Sequence, residues 1–88
     1  MHFTYVLRSK LDTKFYIGAT NNLRARLEAH ASGGVRSTAH RRPLELLYFE
    51  ASLNANDAYR RERYLKSGRG GRYLKARLAC SLEAIRNR

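Results

Sequence analysis

The chain has one cysteine, one proline, no tryptophan and only seven acidic residues among its 88 positions. With Cys80 alone, no disulfide can form within the chain and no cysteine cluster can hold zinc. No apolar run is long enough to cross a bilayer, and residues 1–7 lack the charged start and apolar block of a signal peptide. These absences argue against a disulfide-stabilised secreted scaffold and a transmembrane protein, and they predict a cytoplasmic location.

Because acidic residues are scarce, charge is the strongest signal in the composition. Lys and Arg number 18 against 7 Asp and Glu, which gives a formal net charge of +11. Such an excess in a small protein is self-repulsive unless its partner is a polyanion. Nucleic acid is the predicted partner, since no helix combines a basic face with the wide apolar face that binds an anionic membrane. A generic basic binding protein stays open beside an enzyme.

The hydrophobic pattern predicts three strands and three helices. Strands are predicted at 3–8 and 14–19, joined as an antiparallel hairpin, and at 44–50, where a continuous apolar run favours a central or well-covered strand. Helices are predicted at 23–31, with N-cap candidates in residues 20–22, from about 54 to 67, and at 72–85. Gly18 is expected to end the second strand, where the backbone must approach closely or bend, and the glycine-containing run 68–71 to break the chain. The order ββ-α-β-α-α predicts an α+β fold, a small three-stranded antiparallel sheet flanked by helices, in one domain spanning 1–88.

Two tyrosines and an arginine stand out as candidate reacting groups. Tyr5 and Tyr16 are eleven residues apart in the two hairpin strands, and Arg26 follows ten residues later in the first helix. Phenols can accept or relay a proton, and a guanidinium can grip a phosphate. The set is therefore suited to cleaving a phosphodiester. The alternative is that both rings are ordinary strand aromatics.

Two polar residues interrupt the inward stripes of helices. His30 lies one turn beyond Arg26, so the two side chains can reach one target; the alternative is a hydrogen-bonded histidine at the edge of the core. Glu62 falls between small and apolar residues, where an unpaired carboxylate is costly. It is either in a salt bridge with Arg61 or another arginine, or a ligand of Mg²⁺, which takes one or two protein carboxylates.

Short motifs carry a family resemblance. Tyr16-Ile17-Gly18 matches the second half of the GIY-YIG nuclease signature, and Phe3-Thr4-Tyr5 stands where the first half would be, retaining its final tyrosine. With Arg26, His30 and Glu62 in register, the chain resembles the small stand-alone bacterial GIY-YIG members described as excinuclease-subunit-like, over residues 3–82. Little chemical loss is expected from Phe3 in place of glycine, because only the tyrosine supplies a reacting group.

The resemblance implies an endonuclease that hydrolyses phosphodiester bonds of nucleic acid with one divalent metal ion, Mg²⁺ or Mn²⁺. By matching position, Glu62 would bind the metal, and Tyr5 and Tyr16 would frame the attacking water, one of them as general base or proton relay. Arg26 would stabilise charge on the phosphate, and His30 would assist. Which tyrosine takes the proton stays open at this point.

Further basic residues are predicted to hold the substrate, in a loop at 35–42, in the segment 66–72 and in the first helix. The predicted nucleic-acid-binding residues are Arg24, Arg36, Arg41, Arg42, Lys66, Arg69 and Arg72. The expected substrate is DNA in preference to RNA, in a structured or damaged form met in repair or recombination. A monomer is expected, and transient pairing stays open. The alternative is a non-catalytic nucleic-acid-binding module or an accessory subunit of a repair complex.

Overall fold

The computed structural model describes all residues from Met1 to Arg88 and contains one sheet with helices packed around it. The strands are β1 (His2–Ser9), β2 (Phe15–Thr20) and β3 (Leu44–Ser52). The helices are α1 (Leu23–Ser32), α2 (Arg36–Ala39), α3 (Ala55–Lys66), α4 (Gly68–Arg77) and α5 (Ala79–Arg86). The strand order is β2-β1-β3, and both pairings are antiparallel. The predicted α+β class with a three-stranded antiparallel sheet is confirmed.

The expectation that the third strand is central is wrong. The central strand is β1, and its residues 4–7 are at most 1% exposed. At the edge of the sheet, β3 leaves Leu46 and Phe49 39% and 49% exposed. The apolar run of β3 suggested cover on both faces, but helix α3 packs mainly over β1 and β2. Thr4 tolerates the central position because its hydroxyl donates to the Ala58 carbonyl of α3 at 3.0 Å.

The turn between β1 and β2 is held by side-chain hydrogen bonds. Ser9 Oγ accepts from the amides of Leu11 and Asp12, each at 3.1 Å, and donates to the Arg41 carbonyl at 2.7 Å. Arg41 Nε donates to Asp12 Oδ2 at 2.8 Å, and this hydrogen bond is the main reason that the pKa of Asp12 is lowered to about 2. The turn is therefore anchored to the segment that precedes β3.

The end of α1 and the loop that follows it match the sequence pattern only in part. Asn22 Oδ1 accepts from the Ala25 amide at 3.1 Å, which confirms the predicted cap, and α1 ends at Gly33 with φ 84°. The following segment, expected as an open basic loop, contains the four-residue helix α2. Val35 and Thr38 point inward there, 7% and 0% exposed. A helix this short, with no side-chain cap, leaves no periodic signal in the sequence.

The glycine-containing run 68–71 does not interrupt the helical region as expected, because it forms the first turn of α4. Ser67 ends α3 and begins α4, because its hydroxyl donates to the Tyr64 carbonyl at 2.6 Å and accepts from the Gly70 amide at 3.1 Å. A Cβ at Gly70 would overlap the Tyr64 carbonyl and lie 2.5 Å from the Leu65 Cα. Gly70 therefore permits close approach of α4 to α3. The single last helix expected at 72–85 is also wrong, since α4 and α5 meet at the buried Leu78.

The apolar core occupies one face of the sheet. Val6 and Ile17 project from β1 and β2 and pack against side chains of the C-terminal helices: Leu65, Leu74 and Leu78. Because side chains alternate along a strand, Tyr5 and Tyr16, which are next to Val6 and Ile17 in sequence, face the other side of the sheet. None of the helices has the length and apolar character that spanning a bilayer requires.

Candidate active site

A glycine of β2 determines the position of Tyr5 on the sheet face opposite the core. Gly18 lies inside β2, directly opposite Tyr5, so the prediction that it ends the strand is wrong. A Cβ at Gly18 would lie 2.5 Å from Tyr5 Oη and 2.6 Å from Cζ. The missing side chain lets the Tyr5 ring lie across β2. Because β2 is an edge strand, this carries the hydroxyl towards the border of the sheet.

The Tyr5 hydroxyl begins a buried chain of hydrogen bonds. Tyr5 Oη lies 2.8 Å from His30 Nε2, and His30 Nδ1 lies 2.7 Å from Thr38 Oγ1. Thr38 Oγ1 donates in turn to the Val35 carbonyl at 3.5 Å. We therefore assign the Nδ1–H tautomer to His30, so that Nε2 accepts the proton of the Tyr5 hydroxyl. The three side chains are at most 1% exposed.

The same burial controls the ionisation of both ring systems. Burial lowers the pKa of His30, and the positive charge of Arg26 acts in the same direction, which keeps the imidazole neutral at pH 7. Burial raises the pKa of the Tyr5 hydroxyl, although hydrogen bonding to the Arg26 guanidinium opposes the shift. Tyr5 and His30 are therefore a neutral, hydrogen-bonded pair beneath Arg26.

Tyr16 and Arg26 lie above this pair and face solvent. The Tyr16 ring centroid is 5.1 Å from that of His30 and 6.4 Å from that of Tyr5. Tyr16 is half-buried and Arg26 is exposed. Hydrogen bonding to the Tyr5 hydroxyl is the main reason that the pKa of Arg26 is raised, and Tyr16 acts in the same direction. The guanidinium thus lies beside both phenols.

Glu62 of α3 acts on this cluster through its charge. Its side chain is 21% exposed, and its charge is close enough to raise the pKa of Tyr5 further. The alternative of a salt bridge between Glu62 and Arg61 or another arginine does not hold, because Arg61 pairs with Glu50 of β3 at 2.6 Å. The partner of Glu62 is Lys66, one helical turn away, with Nζ 2.7 Å from Oε2. Four of the predicted catalytic residues are therefore neighbours in one place, Tyr5, Tyr16, Arg26 and His30, and the charge of Glu62 acts on Tyr5.

The donor set can be compared with the needs of a divalent metal ion. No group of three or more His, Cys, Asp or Glu side chains converges anywhere in the chain, and Glu62 is the carboxylate whose charge acts on Tyr5. Mg²⁺ commonly takes one or two protein carboxylates and completes its octahedron with water and phosphate oxygens. Glu62 fits such a water-rich site, because it is partly exposed and only its Oε2 is bonded to Lys66.

The residues predicted to bind nucleic acid fall into two groups. Arg41 is already engaged, because besides Asp12 its guanidinium donates to the Lys14 carbonyl at 3.1 Å, and this structural role competes with phosphate binding. Lys66 is paired with Glu62. The other predicted residues have exposed side chains: Arg24, Arg36, Arg42, Arg69 and Arg72.

Sequence reasoning missed two contributors to the site. Thr38 fixes the His30 ring, and it lies in the short helix α2 that the pattern does not reveal. Gly18 was recognised as a place of close backbone approach, but its partner was not, because only the strand register sets it opposite Tyr5. A glycine facing a tyrosine across a predicted hairpin is the signal that could have found it.

The part of the chain that matches a known protein family includes every candidate catalytic residue. The family model described as the GIY-YIG catalytic domain matches residues 1–73. A UPF0213 protein of Clostridium perfringens is 43% identical over 67 residues, which cover 75% of this chain and 71% of that protein. The UPF0213 protein YazA of Bacillus subtilis is 39% identical over 66 residues, which cover 74% of this chain and 66% of that protein.

A solved structure extends the similarity to the fold. The solution NMR structure of the UPF0213 protein BH0048 from Bacillus halodurans matches with a TM-score of 0.54 at 33% sequence identity. The match covers 85% of this chain and 82% of that protein. The relatives are small proteins, as expected for stand-alone bacterial members.

Proposed function

We propose, from the premise that this chain belongs to the GIY-YIG family, that it is a divalent-metal-dependent endonuclease that hydrolyses phosphodiester bonds in DNA. Members of this family are generally nucleases. The observation that carries the proposal is the grouping of a half-buried phenol and a guanidinium, Tyr16 and Arg26, beside the buried Tyr5–His30 pair, with a carboxylate, Glu62, whose charge acts on Tyr5. Mere binding of DNA does not require this set.

Burial favours Tyr16 as the tyrosine that contacts the attacking water. Tyr5 is 0% exposed, and its hydroxyl is bonded to His30. Tyr16 is half-buried and lies beside Arg26. A general base must come within hydrogen-bonding reach of the proton that it removes. Tyr16 therefore orients and deprotonates the water in this proposal, whereas Tyr5 and His30 are positioning residues that hold Arg26 in place.

The charges around Tyr16 suit this role. Arg26 lies beside the Tyr16 phenol, and it stabilises the negative charge that develops on the phosphate during attack. Glu62 would hold Mg²⁺ or Mn²⁺, which when bound supplies Lewis-acid stabilisation of the scissile phosphate.

The proposed substrate is a structured or damaged DNA of the kind met in repair or recombination. The net charge of +11 favours a polyanion, and exposed arginines are available on α1, α2 and α4. Binding should be salt-sensitive, with log affinity falling by about 0.9 per unit of log salt for each phosphate neutralised on duplex DNA.

The test is cleavage by the purified chain of branched, nicked, flapped and single-stranded DNA and of matching RNA, in Mg²⁺, Mn²⁺ or a chelator. Wild type and Arg63→Gln, an exposed substitution on the same helix as Glu62, should cleave a DNA substrate equally. Glu62→Gln and Tyr16→Phe should each lose roughly 10²-fold or more in rate, the usual effect of removing a general base or a charge-stabilising group.

Three outcomes would contradict the proposal. Equal inertness of wild type and variants, with DNA binding retained, would establish a non-catalytic binding module. Cleavage that survives Glu62→Gln unchanged would show that Glu62 is not the metal ligand. A preference for the RNA substrates would overturn the assignment of DNA.

A further inference from the structure

A second concave site lies on the core face of the sheet, beside the turn between β1 and β2. Its volume is about 520 Å³, within the roughly 300–1,000 Å³ range of small-ligand sites. Arg8 and Phe15, which are paired across the hairpin, form one wall of the site. Helices α4 and α5 form the opposite wall. The lining residues are Arg8, Thr13, Lys14, Phe15, Lys75 and Leu82. None of them belongs to the predicted catalytic cluster.

The chemistry of this pocket is apolar at its floor and cationic at its rim. Phe15 and Leu82 are partly buried and pack against the hydrophobic core. Lys14 and Lys75 are exposed, and neither takes part in any of the salt bridges of the structure. Arg8 is paired with Glu45 at 3.3 Å. Two free positive charges above an aromatic ring suit a ligand that combines a flat ring with an anionic group.

The mouth of the pocket is preformed by the turn. Thr13 has a positive φ of 65°, and its amide donates to the Ser9 carbonyl at 2.9 Å. The Lys14 amide donates to Asp12 Oδ1, also at 2.9 Å. Since Arg41 holds Asp12 in place, the backbone of the rim is fixed before any ligand arrives. A rigid rim lowers the entropic cost of binding.

We propose that this pocket binds an unpaired nucleotide of a DNA strand, with the base against Phe15 and Leu82 and the adjoining phosphate between Lys14 and Lys75. Bases stack on aromatic side chains without sequence preference, while basic groups follow the backbone, which is the usual basis of single-strand binding. The free rim charges and the aromatic floor together match this ligand better than a free inorganic anion, which would not use the ring.

The pocket is also well placed relative to the candidate active site. Phe15 and Tyr16 are consecutive residues of β2, so their side chains emerge on opposite faces of an edge strand. A DNA strand that crosses the edge of β2 would run from the pocket to Tyr16. The pocket would then favour substrates with unpaired nucleotides next to the cut, such as flaps. This link to cleavage rests on the proposed function, whereas the binding itself does not.

The first experiment locates the ligand by NMR. The ¹⁵N-labelled full chain is titrated separately with the oligonucleotide dT8, with thymidine 5′-monophosphate and with a blunt DNA duplex. The amides of residues 13–15, 75 and 82 should shift with dT8, and less with the duplex. If these amides shift with thymidine 5′-monophosphate but not with dT8, the assignment to a DNA strand is overturned. No shifts there with any probe would overturn the pocket as a binding site.

The second experiment removes the rim charges with a matched control. Lys14→Gln/Lys75→Gln should weaken dT8 binding by about tenfold or more, because two phosphate contacts are lost. Arg60→Gln/Arg63→Gln removes the same charge from the exposed side of α3 and should weaken it by about twofold or less. Phe15→Leu keeps an apolar floor without the ring and should also weaken dT8 binding. Equal losses in the two double variants would overturn the proposal.

Cleavage assays separate this inference from the proposed function. If wild type cleaves nothing while dT8 shifts the pocket amides, the nuclease proposal fails and the pocket stands. If wild type cleaves flaps and duplexes alike, and Lys14→Gln/Lys75→Gln cleaves and binds flaps as wild type does, the pocket proposal fails and the nuclease stands.

Discussion

The two faces of the hairpin are built from alternate residues of the same two strands, yet they are held together by different forces. On one face Val6 and Ile17 pack against three leucines: one in α3, one in α4, and Leu78 between α4 and α5. On the other, Tyr5 and Tyr16 surround His30, and every buried polar side-chain atom of the chain has a hydrogen-bond partner. The first face is stabilised by removal of apolar surface from water, the second by complete pairing of polar groups.

This difference predicts how each face fails. A cavity in the apolar face lowers the free energy of unfolding without touching the reacting groups. A steric or pairing error in the polar face leaves a donor or acceptor without a partner, and it also moves the groups that meet the substrate. Stability and activity should therefore respond to different substitutions, although both faces share β1 and β2.

The largest effect on stability is expected from Leu74→Ala. Leu74 is 0% exposed in the apolar face, and truncation should lower the free energy of unfolding by about 2–5 kcal/mol. Urea unfolding measures this loss. Leu11→Ala, at a side chain that is 69% exposed, is the control and should change stability by roughly 0.5 kcal/mol or less. Similar losses in the two variants would show that α4 does not anchor the core.

Gly18→Ala should damage the polar face at a smaller cost in stability. The new Cβ would lie 2.5 Å from Tyr5 Oη, so the ring must move away from His30, at a cost of about 1–3 kcal/mol. Cleavage should fall far more than the folded fraction does. Gly71→Ala, where nothing lies within 4 Å of the added Cβ, should leave both unchanged or raise stability slightly. Matching behaviour of the two variants would contradict the close packing at Gly18.

The pH dependence of stability should report on the buried imidazole. Because the pKa of His30 is lowered in the folded state, the unfolded chain takes up a proton first as pH falls below about 6.5. The free energy of unfolding should therefore be full above pH 6.5 and decline below it, until the folded His30 itself is protonated. Urea unfolding at several pH values tests this. The decline should disappear in His30→Gln and persist in His40→Gln, whose side chain is exposed.

The smallest effect is expected at the border of the polar face, in Lys66→Ala. Lys66 occupies Glu62 Oε2 at 2.7 Å, but its side chain is 54% exposed, so the pair contributes less than about 1 kcal/mol. Removing this competing cation should lower the Mg²⁺ concentration for half-maximal cleavage by a few-fold, measured at saturating DNA. Lys10→Ala, remote along the chain and near Glu45 instead, should leave it unchanged. An increased Mg²⁺ requirement in Lys66→Ala would argue against Glu62 as the metal ligand.

Much of the local structure was predictable from the sequence. The hairpin and the Asn22 cap follow from alternation and capping chemistry. The glycine-containing run 68–71 misled because glycine signals both chain breaks and close helix packing, and only the approach of α4 to α3 decides between them. The cytoplasmic location and the monomer stay predictions. The single domain over 1–88 also stays a prediction, since the family match ends at residue 73.

The sequence by itself determined which side chains share a face, because the periods of strand and helix are local properties of the backbone. It thereby made Arg26 and His30 neighbours on α1, whereas the hairpin register in the structure put Tyr5 and Tyr16 on one face of the sheet. Only the tertiary structure decided that Tyr5 is buried and Tyr16 open. Burial depends on which distant segments pack against a face. Here the Tyr5 ring lies across Gly18 and is bonded to His30, which Thr38 of α2 holds in turn, while Tyr16 stays partly accessible.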